Sequence, residues 1–165
     1  MNLTPPALAR VKVGERRTFE VDSGRPVSED SPRITMPTKK PTILAADDDV
    51  EILTLVVRQL KRLDANVLEA SDGEEALKIA KREKPDMIVL DVMMPGMSGW
   101  EVCRAIREDA SIAATPVLML TGIGERLNEM TSPLYGADDH LDKPFDFDEL
   151  GERIQALLKR GPRKT

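Results

Sequence analysis

At 165 residues, 41% hydrophobic and 3% aromatic, the chain has room for one domain with an aliphatic core and about forty residues besides. Its single cysteine, Cys103, excludes an internal disulfide and fits a reducing cytoplasm, and no apolar run approaches the roughly 18 residues that insertion across a membrane needs. The net charge of −5 divides into +3 over residues 1–40 (eight Lys/Arg, five Asp/Glu) and −8 over the rest (sixteen and twenty-four), which argues against direct DNA binding by the acidic part.

Residues 1–40 read as a disordered extension. Pro26, Ser28, Ser31-Pro32, Pro37 and Lys39-Lys40 dominate it, and the alternation of Val11, Val13, Phe19 and Val21 allows only a transient hairpin. A second reading, with the chain starting at Met36, stays open. The segment from Met1 to Arg10, with Pro5-Pro6 and no extended apolar region, does not read as a secretory signal.

From Pro41 strand-like and helix-like segments alternate, the pattern of a parallel sheet covered on both faces. The first strand, Ile43 to Ala46, runs into Asp47-Asp48, and Asp49 caps a helix whose inward stripe is Ile52, Leu55, Val56, Leu60 and Leu63. Asn66 to Ala70 is the second strand. Ser71 to Glu74 has the spacing of a capping box, opening a helix with Ala76, Leu77 and Ala80 inward. The third strand, Met87 to Leu90, ends at Asp91. The box Ser98 to Glu101 then opens a helix burying Val102, Cys103 and Ile106. A fourth strand, Val117 to Leu120, ends at Thr121 and precedes a fourth helix over roughly Glu125 to Ser132. The fifth strand, near His140 to Asp142, delivers Lys143-Pro144. A last helix follows, started by Asp146 and Glu149 and burying Leu150, Ile154, Leu157 and Leu158. Five βα units in about 120 residues predict a flavodoxin-like, doubly wound α/β domain over residues 41–160, with strand order 2-1-3-4-5, five helices and a short tail at 161–165.

In such a sheet ligands bind at the carboxyl edge of the strands, where this chain places three carboxylates, a hydroxyl and an ammonium. Asp91 is the candidate nucleophile, since a carboxylate can attack phosphorus and hold the group as an acyl phosphate. Asp47 and Asp48 are placed so that one can ligate Mg²⁺ while the other orients a bound water, offsetting the phosphoryl charge. Lys143 can pair with Asp91 at rest and with a phosphoryl oxygen afterwards, and Thr121 can donate to another oxygen. An Asp at a strand end is otherwise a capping or turn residue, the role assigned to Asp49.

The stretches Ile43 to Asp49, Asp86 to Gly99, Leu120 to Gly122 and Gly136 to Phe145 resemble the receiver domains of bacterial two-component response regulators, over essentially Pro41 to Lys159. The resemblance implies transfer of a phosphoryl group to Asp91 from a histidine kinase or a histidine phosphotransfer protein. It places Asp48, Asp91 and the backbone carbonyl of Met93 around Mg²⁺, with Asp47 in support. It makes Thr121 the switch hydroxyl, Lys143 the phosphate-sensing lysine followed by a cis bond to Pro144, and Gly122 the small residue that keeps the approach open. His140 stands where the family usually has the Tyr or Phe that swings inward, and a partly buried ring at a sheet edge is its plainer role. Pro133 falls late in the fourth helix, with Leu134 and Tyr135 beyond it. Trp100 reads as a helix-packing residue.

The expectation is a single-domain, cytoplasmic phosphoacceptor module, not an enzyme in its own right. Its downstream protein target would bind the fourth helix, the fifth strand and the fifth helix. A receiver locked as a scaffold is one alternative. A phosphohydrolase is another, although its pattern wants a second Asp two residues after the nucleophile, where this chain has Met93.

Overall fold

The computed structural model describes residues 39–122 and 136–164. Five strands and four helices lie in this part: β1 (Thr42–Ala46), α1 (Val50–Arg62), β2 (Asn66–Ala70), α2 (Gly73–Glu83), β3 (Met87–Asp91), α3 (Gly99–Glu108), β4 (Val117–Thr121), β5 (Asp139–Asp142) and α4 (Phe147–Arg160). The helix expected over Glu125 to Ser132, with Pro133 to Tyr135, lies outside the described residues, as do residues 1–38. The strands form one parallel sheet in the order β2-β1-β3-β4-β5, as the βα alternation predicts.

Strands with helices on both faces are apolar along their whole length. Every residue of the central strands β3 and β4 is buried, whereas the edge strands β2 and β5 are only partly covered. Side-chain alternation divides the core into two layers. Leu44, Ala46, Ile88, Leu90 and Met119 meet Ala76, Ala80, Val102, Cys103 and Ile106 of α2 and α3. Ile43, Ala45, Met87, Val89, Leu118 and Leu120 meet Leu53, Val56, Leu60, Leu150, Ile154 and Leu157 of α1 and α4. A fully buried Leu, Ile or Val contributes about 1.5–3 kcal/mol, so these layers suffice as a core with few aromatic rings.

Two local expectations need correction. The buried stripe of α1 is Leu53, Val56, Val57 and Leu60, an i, i+3, i+4, i+7 set, while Leu55 is 37% exposed. Leu55 lies about 200° around the helix from Leu53, on the outer side. The cap of α2 is Asp72 rather than Ser71: its carboxylate accepts from the Glu75 backbone N–H at 2.8 Å. Asp72-x-x-Glu75 has the same box spacing one residue on, and Ser71 instead donates to Glu75 Oε2 through its N–H and hydroxyl. Asp49, Ser98 and Asp146 cap α1, α3 and α4 as expected, with the full reciprocal box at Ser98 and Glu101.

Candidate functional site

The register of the sheet brings the strand ends together. Ala46 lies opposite Leu90, Asp91 opposite Leu120 and Thr121 opposite Asp142, so Asp47, Asp91, Thr121 and Lys143 all emerge at one edge. Asp91, Asp47 and Thr121 are buried there, and Asp48 is exposed at the mouth. Carboxylate oxygens of Asp47, Asp48 and Asp91 all lie within 4.8 Å of one another.

Lys143 joins these groups. Its Nζ is 3.0 Å from Asp91 Oδ1 and 2.7 Å from Asp47 Oδ2. Backbone bonding fixes its start, since the Lys143 N–H donates to the Thr121 carbonyl at 2.6 Å, and the following bond to Pro144 is cis. Pairing with Asp91 at rest follows the sequence reading; the closer contact with Asp47 does not. Asp47 also accepts the Asp49 N–H at 2.9 Å through Oδ1, so it holds both the lysine and the turn into α1.

The loop after Asp91 is tied down by Gly99. Its N–H donates to the Val92 carbonyl at 2.9 Å, and a Cβ on Gly99 would fall 2.1 Å from the Asp91 carbonyl oxygen. Only glycine permits that approach, and the legible signal was a glycine at the first position of a helix, where propensity disfavours it. The Met93 side chain on this loop is 67% exposed. A Cβ on Gly122 would stand in open space. His140 is half-buried on the edge strand β5, opposite Met119, and Trp100 packs against the core layer of α2 and α3.

Burial raises the carboxyl of Asp91 above its ordinary value of 3.8. The charges of Asp47 and Asp48 add to that rise, and the bond from Lys143 opposes it. Burial works against the Lys143 ammonium, but its bonds to Asp47 and Asp91 prevail and raise it. The edge therefore holds a buried carboxylate pushed toward neutrality beside an ammonium held charged. A concavity of about 540 Å³ lies at the opposite edge of the sheet, among Pro41, Lys84, Pro85, Pro116 and Pro162, away from these groups.

The sequence profile of the response regulator receiver domain matches residues 43–155. The chain belongs to this family. It is 46% identical over 118 residues to the alkaline phosphatase synthesis transcriptional regulatory protein PhoP of Bacillus subtilis, covering 72% of this chain and 48% of that protein. It spans about half the length of the curated relatives it matches. Among solved structures it resembles the chemotaxis response regulator CheY4 of Vibrio cholerae, with a TM-score of 0.69 and 34% identity, covering 72% of this chain and 99% of that one. It also resembles the receiver domain of the sensor histidine kinase PA1611 from Pseudomonas aeruginosa, with a TM-score of 0.68 and 26% identity over 73% of this chain and 99% of that one. That structure has a magnesium ion coordinated in its active-site cleft.

Proposed function

We propose that this receiver accepts a phosphoryl group on Asp91 from a phosphohistidine of a histidine kinase or a histidine phosphotransfer protein. The observation that carries the reading is the strand-end cluster itself: Asp91 buried beside Asp47 and Asp48, with the Lys143 ammonium at 3.0 Å. A carboxylate oxygen of Asp91 attacks phosphorus, the P–N bond breaks, and its electron pair leaves on the donor imidazole, which takes up a proton. Lys143 then exchanges its bond to Asp91 for one to a phosphoryl oxygen, and Thr121 donates its hydroxyl to another. The position of the cluster at the edge of the sheet, with Asp48 exposed, suits a donor carried on another protein.

The three carboxylates offer hard oxygen donors close enough to share one small divalent cation, and the exposure of Asp48 leaves room for the waters such an ion retains. Asp48, Asp91 and the Met93 carbonyl would hold Mg²⁺, with Asp47 supporting. The bound ion would neutralise charge on the transferring group.

Output is proposed to pass to a protein target through α4, β5 with His140, and the chain that follows Thr121. A protein target is favoured over DNA for this body because the −8 of residues 41–165 disfavours phosphate contacts by it. The free, buried Cys103 suits a cytoplasmic setting.

Incubation with Mg²⁺ and acetyl phosphate, followed by intact mass, is the direct test. One added phosphoryl group, labile to base and hydroxylamine and missing from Asp91→Asn, is the expected result. Equal labelling of that variant places the acceptor elsewhere. Amide shifts with and without beryllofluoride should reach His140; changes confined to the surroundings of Asp91 rule out this output face.

A further inference from the structure

At the far edge of the sheet, Asp138 immediately precedes β5, and its side chain is 7% exposed. Its Oδ2 accepts from Arg107 Nη2 at 2.8 Å and from the Val117 N–H at 2.8 Å, and its Oδ1 lies 3.3 Å from Arg163 Nε. Its own N–H donates to the Val117 carbonyl at 2.9 Å. The starts of β4 and β5 are thus joined through both backbone and side chain.

Arg107, on α3, spreads its remaining donors over three carbonyls in two loops. Nε donates to the Gly136 carbonyl at 2.7 Å, and Nη1 to the carbonyls of Ala113 and Thr115 at 2.8 and 2.7 Å. Arg163 adds a second donor to Gly136, at 2.7 Å. Gly136 has φ +78°, and a Cβ on it would lie 2.9 Å from Arg107 Cγ, so a glycine lets the arginine stem pack close against the backbone. A lysine could not make this set of contacts, because they need a planar fork of several donors.

β5 is a four-residue strand that, among the described residues, pairs on one side, and a slip of one residue would turn every side chain to the other face. Lys143 follows it directly, and its ammonium must reach Asp47 and Asp91 at 2.7 and 3.0 Å. The near end of the strand is fixed by the Lys143 N–H on Thr121, and the far end by Asp138 on Val117. We propose that Arg107 and Asp138 are positioning residues for phosphoryl transfer, clamping the register of β5 on β4 so that Lys143 meets the carboxylates. This rests on the role of Lys143 proposed above.

The test is a kinetic cycle on the full chain, with Asp138→Asn made in the wild type and in Lys143→Ala. The rate of phosphorylation by acetyl phosphate with Mg²⁺ should fall about 10- to 100-fold in the wild-type background, the loss expected for roughly 1 Å of misplacement. In Lys143→Ala the same substitution should change the rate by less than about 2-fold, because the group it positions is gone. An equal proportional loss in both backgrounds, or no loss in either, overturns the proposal. Arg107→Lys, which keeps the charge, guards against a variant that fails to fold, and it is read by hydrogen exchange without phosphorylation. The Lys143 amide should exchange roughly 10-fold faster as its local opening becomes easier; an unchanged rate overturns the clamp. A wild type that takes no phosphoryl group would instead remove the proposed function while the exchange result stood.

Discussion

Replacing Asp91 with asparagine should make the protein more stable at neutral pH. Asn keeps the size and the hydrogen-bonding oxygen of the carboxylate and removes its charge. The variant gives up a charge-assisted bond from Lys143 at 3.0 Å, but the ammonium keeps Asp47 at 2.7 Å. It escapes the burial of a carboxylate in a residue only 3% exposed, and the repulsion from Asp47 and Asp48. The raised carboxyl of Asp91 shows which side of that balance is larger. A gain on the order of 1 kcal/mol, the ordinary scale of a single-site change, is the size to look for. For a domain of this size that is a rise of several degrees in melting temperature.

The pH dependence fixes the sign. The carboxyl titrates at an ordinary 3.8 in the unfolded chain and above that value in the folded protein, so between the two the folded state holds more protons. The contribution of Asp91 to wild-type stability therefore falls as pH rises through that window, and the penalty is complete above the folded value. The advantage of Asp91→Asn should be full at pH 7 and should shrink as the pH is lowered toward 3.8. Urea unfolding without divalent ions at the two ends of this range measures it, provided the denaturant slopes agree. A variant less stable than wild type at pH 7, or an advantage independent of pH, refutes the reasoning.

Mg²⁺ should bind and change the fluorescence of Trp100, which sits in the first turn of α3 after the Asp91 loop; Asp48→Ala should abolish that response without altering the circular dichroism, because Asp48 is exposed. Undiminished Mg²⁺ affinity in Asp48→Ala would move the cation site. Gly99→Ala should lower stability by about 1–3 kcal/mol or more, the usual effect of overpacking, because the new Cβ has a backbone oxygen at 2.1 Å; chemical denaturation would show it. Cys103, fully buried with its thiol pushed up to about 11, should react with a thiol reagent at neutral pH only as fast as the protein opens. Labelling much faster than unfolding would contradict that burial.

The parts of the fold legible in the sequence were those governed by a local rule. The runs Ile43 to Ala46, Met87 to Leu90 and Val117 to Leu120 are apolar without a break because both faces of each central strand are covered. Caps at Asp49, Ser98 and Asp146 are written in two or three residues each, and the structure uses them. The misreadings at Leu55 and Ser71 came where two registers matched the same template and only packing or acceptor strength separated them. The contacts that spacing alone could not reveal join distant elements: the bond between Lys143 and Asp47 spans 96 positions, and that between Arg107 and Asp138 spans 31. No local pattern encodes a partner so far along the chain.

The two distant contacts also explain how the fold tolerates its site. Three carboxylates within 4.8 Å oppose folding through desolvation and repulsion, and a single lysine at the end of a short edge strand offsets them. Such a strand has little hold of its own, since among the described residues its backbone pairs on one side. At the opposite edge a half-buried arginine joins two loops and an aspartate holds two strand starts together. In the proposed transfer, an anchor far from the chemistry would leave the carboxyl edge free to exchange a lysine–carboxylate bond for a lysine–phosphoryl bond without loss of register. A receiver with the anchor weakened should therefore keep its acceptor carboxylate and lose the geometry that makes it reactive.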